Sequence, residues 1–205
     1  MVATALYTGL RISELLGLVW DDIDFATGVV HVRAQLSRAP HGEPSHRVAP
    51  KTAASVRDVP LVAQLARLLA AHKLATPLAA RSDWVFATSH GTPYGHRNVA
   101  RRCQTRAADR AGLNGDGRLP LRFHDLRHVF ASHLIVDLGL DVAQVSRVLG
   151  HASPTITLNV YTHLFDDARH AREIRERMAA SPFAALLEPA DAVSFGSVRA
   201  LRGQA

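Results

Sequence analysis

Apolar residues near the start of the chain follow a helical rhythm that is interrupted once. They are Leu6, Leu10, Leu15 and Leu18. Apolar residues three to four positions apart lie on one face of an α-helix. The rhythm breaks at residues 8–9, inside "TGLRISELLGL", and Ser13 with Glu14 can restart a helix that Gly17 ends. The pattern predicts two short helices with Arg11 at their junction.

Alternating apolar and polar positions then predict a small β-sheet. The stretch "GVVHVRAQLSR" (28–38) alternates and contains β-branched residues, as strands do, and "HRVAPK" (46–51) and "SVRDVPL" (55–61) are predicted as two more strands. The segment "APHGEPSH" (39–46) contains Pro and Gly, as surface loops do. We expect three antiparallel strands, with Lys51 at the tip of a hairpin formed by the second and third.

The rest of the chain has a mainly helical pattern. Helices are predicted from Pro60 to about Ala71, over 96–112, from Phe123, over 142–149, from Pro154 and over 166–180. Asp141 is the expected N-cap of the helix over 142–149, and Gly150 is its expected end. Together these elements predict an α+β, mainly α fold: a helical domain with a small three-stranded antiparallel sheet at one edge.

Charge narrows the class of partner. Lysine and arginine together number 24 against 18 for aspartate and glutamate, which gives a formal net charge of +6 and a pI near 10.4. The excess is almost entirely arginine, since Lys51 and Lys73 are the only lysines. An arginine-rich, basic domain suits a polyanion such as nucleic acid, because a guanidinium group binds phosphate oxygens in pairs.

Composition also bears on where the protein works. Hydrophobic residues make up 47% of the chain and charged residues 20%, as in globular rather than disordered proteins. Cys103 is the only cysteine, so no intrachain disulfide can form, and no apolar run reaches the length of a membrane span. We expect a cytoplasmic protein with no membrane partner.

Three potential cations gather in "FHDLRHVFASHL" (residues 123–134). The apolar stripe of this segment consists of Leu126, Val129, Phe130 and Leu134. His124, Arg127 and His128 lie three and four positions apart on another face. Because like charges at this spacing repel one another, a negative ligand is expected to face that turn.

Four motifs follow one another between Met1 and about Phe165. They are "TGLRISELLGLVWDDID" with Arg11, "PKTAASVRDVPL" with Lys51, "HDLRHVFASHL" with His124 and Arg127, and "LGHASPTITLNVYTH" with His151 and Tyr161. Their order and approximate spacing resemble those of the tyrosine recombinases, the phage-integrase family. The resemblance implies that fold, with a catalytic domain at residues 1–178 and a C-terminal tail at 179–205.

The resemblance further implies an enzyme that breaks and rejoins DNA strands through a covalent 3′-phosphotyrosine link. Tyr161 would be the nucleophile, and the link would preserve the energy of the broken bond without ATP or metal, so no cofactor is expected. Arg11 and Arg127 would clamp the non-bridging oxygens of the scissile phosphate, which gain charge in the transition state.

Proton transfer would fall to the remaining motif residues. A phenol has a reference pKa of about 10 and needs help to react at neutral pH. By resemblance, His124 would assist removal of that proton and His151 would hydrogen-bond the phosphate. Lys51 would protonate the departing 5′ oxygen, since an ammonium group releases a proton far more readily than a guanidinium group.

The same segment admits a zinc-binding interpretation. His124 and His128 stand four positions apart, as in the HExxH metallopeptidases. Asp125 occupies the place of the required Glu, and Arg127 between the histidines would repel a cation. The sequence therefore favours no metal site, and His128 is expected to support the site or pack beneath it.

A run of arginines along the helix predicted at 96–112 has two interpretations. It consists of Arg97, Arg101, Arg102, Arg106 and Arg110. Such a run is usually a solvated helix face. Beside a DNA-cutting site, contact with the DNA backbone becomes the favoured interpretation.

Family resemblance also implies partners and alternatives. The expected partners are double-stranded DNA, further copies of the chain in a tetramer on paired sites, and an excision or host accessory factor. The chain starts ten residues before Arg11, so we expect the front of the first helix and an N-terminal DNA-binding domain to be missing. Two alternatives therefore stay open: a truncated remnant that binds DNA or itself without completing recombination, and relaxation of DNA as by a type IB topoisomerase.

Overall fold

The computed structural model describes residues 1–38, 43–99, 104–113 and 121–181. Its helices are α1 (Val2–Thr8), α2 (Ile12–Leu16), α3 (Ala63–Ala75), α4 (His96–Asn98), α5 (Gln104–Arg110), α6 (Phe123–Ser132), α7 (Val142–Leu149) and α8 (Pro154–Ala179). Its strands are β1 (Ile23–Asp24), β2 (Val29–Val32), β3 (Gln35–Leu36), β4 (Arg47–Val48) and β5 (Arg57–Pro60). The predicted class, mainly helical with a small antiparallel sheet, is confirmed.

The chain divides into two compact units, Met1–Phe165 and Asp166–Ala205. The first unit contains all the strands found among the described residues, and all six residues predicted for catalysis belong to it. In the second unit, residues 166–179 are helical. Among the described residues, no helix combines the length and the apolar character needed to cross a membrane.

The first two helices form as the sequence predicts. α1 ends at Gly9, which has a left-handed backbone with φ of 61°. A side chain there would also collide with the core, because a Cβ atom would lie 2.3 Å from Cδ1 of Phe130. Arg11 is the N-cap of α2, and its backbone N–H donates to Glu14 Oε2 at 2.9 Å. Arg11 is thereby fixed at the helix junction.

The three-stranded sheet is present, but its strand order differs from the prediction. The order is β1-β2-β5, all antiparallel, and β3 pairs with β4 in a separate two-stranded sheet. The stretch 46–51 therefore does not pair with 55–61. Val30, Val32 and Val59 are completely buried, and their burial draws β5 onto β2 because both strands turn an apolar face to the core.

Lys51 consequently lies in a connection rather than at a hairpin tip. It follows β4 and precedes a short 3₁₀ turn at Ala53–Ser55. Within this connection, the hydroxyl groups of Thr52 and Ser55 are hydrogen-bonded at 2.9 Å. The turn leads into β5, so Lys51 is separated from the sheet core by only a few residues.

Two predicted helices have different bounds. The helix expected from Pro60 starts at Ala63, since Pro60 is the last residue of β5 and pairs with Val29. The sequence predicts one helix over 96–112. The structure has α4 near the start of this stretch and α5 near its end. The predicted phosphate contacts Arg101 and Arg102 lie outside the described residues.

The last helices of the first unit follow their sequence signals closely. Asp141 caps α7, and its Oδ1 accepts a hydrogen bond from the backbone N–H of Gln144 at 2.8 Å. Gly150 ends α7 in a left-handed conformation, with φ of 67°. α8 then begins at Pro154, whose fixed φ suits the first helical position. The short turn between the two helices carries His151.

Candidate active site

The six predicted catalytic side chains line a single cavity of about 440 Å³. They are Arg11, Lys51, His124, Arg127, His151 and Tyr161. They come from the start of α2, the connection after β4, α6, the turn after α7, and α8. The tertiary structure thus gathers residues that lie up to 150 positions apart along the chain.

Arg127 is the most deeply held of these residues. Its side chain is only 3% exposed. Nη1 donates to the carbonyl oxygen of Gly9 at 2.7 Å, and Nη2 donates to that of Leu149 at 2.6 Å. Both carbonyls belong to helix C-termini, where such groups lack helical partners and carry partial negative charge. Burial, reinforced by the charge of Arg11, lowers the pKa of Arg127 to about 9.

Arg11 lies at the cavity edge with more solvent access. Nη1 donates to Glu14 Oε1 at 2.8 Å, and Nη2 donates to the carbonyl oxygen of Gly150 at 3.2 Å. Its side chain is 35% exposed, so part of the guanidinium group is available to a ligand. Arg11 and Arg127 are therefore anchored by protein oxygens while both face the cavity.

The buried carboxylate of Glu14 holds Arg11 and Arg57 together. The sequence predicts only that Glu14 helps to start a helix. Glu14 is 2% exposed and accepts from Arg57 Nη2 at 2.9 Å and from Arg57 Nη1 at 3.2 Å, in addition to Arg11. Burial alone would raise the pKa of Glu14, but the hydrogen bonds and charge of Arg57, with those of Arg11, lower it below the ordinary value. Glu14 is thus an ionised counter-charge beneath the site.

Arg57 is the second residue that sequence analysis missed. It is 7% exposed, and its Nε donates to the carbonyl oxygen of Val148 at 2.7 Å. One signal was available: along β5, Arg57 occupies the same inward-facing register as the buried Val59. An arginine at an inward strand position requires a buried partner, because an unpaired buried charge is very costly.

Gly150 lets the backbone approach this arginine. A Cβ atom at Gly150 would lie 2.8 Å from Nη1 and 2.9 Å from Cδ of Arg57. It would also lie 3.1 Å from the carbonyl oxygen of Ala54. The glycine therefore does more than end α7, since it brings the next residue, His151, against the arginines.

His151 is held as a neutral ring. Its Nδ1 lies 2.7 Å from Oγ1 of Thr157, which is completely buried on α8. Burial, followed by the charges of Arg127, Arg11 and Arg57, lowers the pKa of His151 to about 4. Burial and the charge of His128 likewise lower the pKa of His124. Near pH 7 these two rings act as hydrogen-bonding groups rather than as charges.

Tyr161 and His128 form a direct contact at the back of the cavity. The Tyr161 hydroxyl lies 2.8 Å from Nδ1 of His128, and the tyrosine is 4% exposed. The His128 ring meets the His124 ring edge to face, with centroids 4.8 Å apart. Burial raises the pKa of the Tyr161 phenol, and the charge of Arg127 opposes that shift. His128, expected to pack or support the site, is therefore the histidine bonded to the phenol.

Lys51 contrasts with these buried groups. It is exposed at the rim of the cavity, on the connection between β4 and the Ala53–Ser55 turn. Its ammonium group is therefore accessible to a ligand in the cavity.

The zinc interpretation gains no support from the geometry. Within residues 1–38, 43–99, 104–113 and 121–181, no group of three or more His, Cys, Asp or Glu side chains is arranged to hold a metal ion. Arg127 instead lies beside His124 and His128 in the same cavity. The site concentrates guanidinium groups and neutral imidazoles around a buried phenol, an arrangement suited to binding an anionic ester and attacking it.

The family to which the chain belongs follows from a comparison of its sequence with known families. The phage integrase family matches residues 1–168, and the chain is a member of that family. The family predicted from the four motifs, that of the tyrosine recombinases, is thus confirmed.

Two curated relatives illustrate the match. The tyrosine recombinase XerC-like protein of Caldanaerobacter subterraneus subsp. tengcongensis is 32% identical over 176 residues, which cover 77% of this chain and 43% of the relative. The tyrosine recombinase XerC of Pseudomonas syringae pv. tomato is 34% identical over 157 residues, covering 77% and 44% respectively. The chain thus spans less than half the length of these relatives.

Solved structures show the same fold. The Tn1549 transposon integrase in complex with transposon right end DNA matches with a TM-score of 0.69 and 29% identity, over 87% of this chain and 58% of that one. XerA recombinase matches with a TM-score of 0.61 and 24% identity, over 85% and 54%. The fold of the first unit is therefore that of a tyrosine recombinase catalytic domain.

Proposed function

We propose that this chain carries the catalytic part of a site-specific DNA recombinase, which cleaves and rejoins DNA through a 3′-phosphotyrosine intermediate. The observation that carries the proposal is the placement of the Tyr161 hydroxyl in the same cavity as two anchored guanidinium groups, those of Arg11 and Arg127. In the transfer of a phosphodiester, a phenol can act as the nucleophile, guanidinium groups can clamp the anion, and an ammonium group can protonate the leaving oxygen.

Cleavage begins with the scissile phosphate between Arg11 and Arg127. The two side chains donate hydrogen bonds to its non-bridging oxygens, and these strengthen as negative charge grows on the oxygens in the transition state. Anchoring by the carbonyl groups of Gly9 and Leu149 keeps Arg127 from rearranging during the reaction. Preorganised charge of this kind contributes about 10²-fold to 10³-fold per donor.

Tyr161 attacks the phosphorus, and the bond to the 5′ oxygen breaks. His151 donates a hydrogen bond from its Nε2–H to the phosphate, while its Nδ1 accepts one from the hydroxyl of Thr157. Lys51 protonates the departing 5′ oxygen, and His124 assists removal of the phenolic proton. Rejoining reverses these transfers, with the 5′ hydroxyl group of the other strand attacking the phosphotyrosine.

The wider organisation belongs to the same proposal. Residues 1–178 form the catalytic domain and residues 179–205 a tail, and the protein works in the cytoplasm on double-stranded DNA. Pairing of two sites calls for a homotetramer, with an excision or host factor where direction is controlled. The solved Tn1549 integrase complex with DNA supports DNA as the partner, and the net charge of +6 agrees with it.

The proposal is tested by trapping the covalent intermediate. A nicked duplex carrying the presumed attachment region releases a short 5′ fragment on cleavage, so that rejoining is blocked and the phosphotyrosine accumulates. A library of duplexes serves where the attachment region is unknown. We expect a protein–DNA band that survives denaturant, that Tyr161→Phe abolishes, and that the control Tyr7→Phe retains, since Tyr7 is 52% exposed and outside this cavity.

Other outcomes identify the alternatives. DNA binding without any covalent band would favour a remnant that has lost strand transfer, or a requirement for a further DNA-binding domain, and fusing such a domain to the chain separates the two. A Tyr161-dependent band combined with relaxation of any supercoiled plasmid would favour a topoisomerase-like activity. A covalent band that persists in Tyr161→Phe would overturn the assignment of the nucleophile.

A further inference from the structure

We infer that His128 is the base that accepts the phenolic proton of Tyr161 during strand cleavage. The inference rests on the proposed function and changes the expected division of labour, in which His124 assists that proton transfer. The structural reason is contact: Nδ1 of His128 lies 2.8 Å from the Tyr161 hydroxyl. A general base must lie within hydrogen-bond distance of the proton it removes.

The contact is held by the packing of two helices rather than by a loop. His128 lies in the second turn of α6, directly after Arg127, and Tyr161 lies in the second turn of α8. Arg127 is fixed by two backbone carbonyls, so the neighbouring backbone of His128 is fixed with it. The base and the phosphate clamp are thus adjacent residues on one rigid helix.

Burial of the phenol makes a base necessary. Tyr161 is 4% exposed, so bulk water has little access to take its proton. Burial also raises the pKa of the phenol, which disfavours spontaneous ionisation. The charge of Arg127 acts in the opposite direction and favours the phenolate once it forms.

The ring of His128 lies against two other rings. It meets the His124 ring edge to face, with centroids 4.8 Å apart, and its centroid is 5.7 Å from that of the Tyr161 ring. Burial, followed by the charges of His128 and Arg127, lowers the pKa of His124. His128 is therefore positioned between the phenol and His124.

The proton and electron balance of the step is simple. The step requires His128 in its neutral form with the proton on Nε2, so that the lone pair of Nδ1 accepts from the hydroxyl. The phenolic proton moves to Nδ1, the phenolate oxygen forms a bond to phosphorus, and the bond from phosphorus to the 5′ oxygen breaks. Lys51 supplies a proton to that oxygen, so His128 becomes a cation as Lys51 becomes neutral. Rejoining runs the same transfers backwards.

The first test separates holding the phenol from taking its proton. In His128→Asn, the amide oxygen occupies nearly the position of Nδ1 and accepts the hydrogen bond, but it cannot take the proton. We expect a loss of about 10²-fold or more in the single-turnover rate of covalent band formation, at an unchanged melting temperature. The matched control His133→Asn, on the same stretch of chain but paired with exposed Asp137, should cleave at the wild-type rate.

The second test makes the base unnecessary. Tyr161 is replaced by a fluorinated tyrosine whose phenol is already ionised at the assay pH. With this nucleophile, His128→Asn should cleave within about threefold of the protein that retains His128, because no phenolic proton remains to be removed. An undiminished penalty would overturn the inference and leave His128 only a positioning residue.

The third test distinguishes the base from the acid. A duplex with sulfur in place of the bridging 5′ oxygen has a thiolate leaving group, which needs no proton because thiols ionise near pH 8.5. It should restore cleavage by Lys51→Ala but leave the loss in His128→Asn. Restoration of both variants would contradict a base role for His128. Absence of a Tyr161-dependent band in the wild-type protein would instead overturn the proposed function, and this inference with it.

Discussion

The two sides of the cavity are built in opposite ways. On one side, Arg127 is 3% exposed and tied to two backbone carbonyls, with Glu14 and Arg57 paired behind it. On the other side, Lys51 is exposed on a short connection. Groups that stabilise charge work best when they do not move, whereas a group that delivers a proton to a leaving oxygen has to follow it. The fold buries the paired arginines and their carboxylate and leaves Lys51 exposed.

Removal of the anchored guanidinium group of Arg127 is expected to have the largest effect on the rate of cleavage. Arg127→Ala should lower the rate of covalent band formation by about 10³-fold or more, since it removes a preorganised donor and leaves two helix C-terminal carbonyls unpaired. Arg127→Lys should recover little of this loss, because a single ammonium group cannot reach both carbonyls and the phosphate. Full activity in Arg127→Lys would show that charge alone, and not the fixed geometry, matters there. Single-turnover cleavage of the nicked duplex measures both.

Glu14 tests whether the rigid side depends on its buried counter-charge. Glu14→Gln should lower the free energy of unfolding by about 3 kcal/mol, because the buried charge of Arg57 is left without a carboxylate to balance it. Urea unfolding at pH 7 measures this loss. The exposed pair of Asp58 and Arg33 provides a control, for which Asp58→Asn should cost less than about 1 kcal/mol.

The same variant carries a pH signature. The pKa of Glu14 is lower in the folded protein than its ordinary value of 4.5. Its contribution to stability is therefore present above about pH 4.5 and is lost as the pH falls through the folded-state pKa. Over that acid range, the free energy of unfolding of the wild type should fall more steeply with decreasing pH than that of Glu14→Gln. Parallel pH profiles would contradict an ionised Glu14.

Lys51 is an exposed residue of the cavity lining. Lys51→Ala should slow cleavage of an ordinary phosphodiester by about 10²-fold. Because Lys51 is exposed, the melting temperature of the Lys51→Ala variant should stay within about 1 °C of that of the wild type. Lys73→Ala, the other lysine of the chain, is the matched control and should cleave normally. A large drop in stability in Lys51→Ala would show that Lys51 is a structural residue.

The smallest expected effect concerns the bond that orients His151. Thr157→Val keeps the shape of the buried side chain but removes the hydroxyl, so His151 loses the partner of its Nδ1. We expect cleavage to fall by about tenfold, the worth of one neutral hydrogen bond. Thr157→Ser should restore it. Equal rates in the valine and serine variants would show that the hydroxyl does not orient the ring.

Local sequence signals predicted much of the backbone. The end of α1 at Gly9, the end of α2 at Gly17, the Asp141 cap of α7 and the start of α8 at Pro154 all agree with the structure. Each depends on residues within one or two turns of the position concerned. The six catalytic candidates came from linked motifs, and all six line one cavity.

Other features were decided only by the tertiary structure. The pairing of β5 with β2, the burial of Arg57 against Glu14, and the contact of His128 with Tyr161 join residues that are 25 or more positions apart. Period-2 patterns show which face of a strand is buried but not which strand lies beside it. Likewise, the sequence does not show whether His128 packs in the core or contacts a reactive group. The packing of α8 against α6 decides this, because it places the Tyr161 hydroxyl at Nδ1 of His128. The sequence by itself determined the ends of α1, α2 and α7 and the start of α8, because each depends on neighbouring residues. The packing of distant elements decided which chemical groups meet in the cavity.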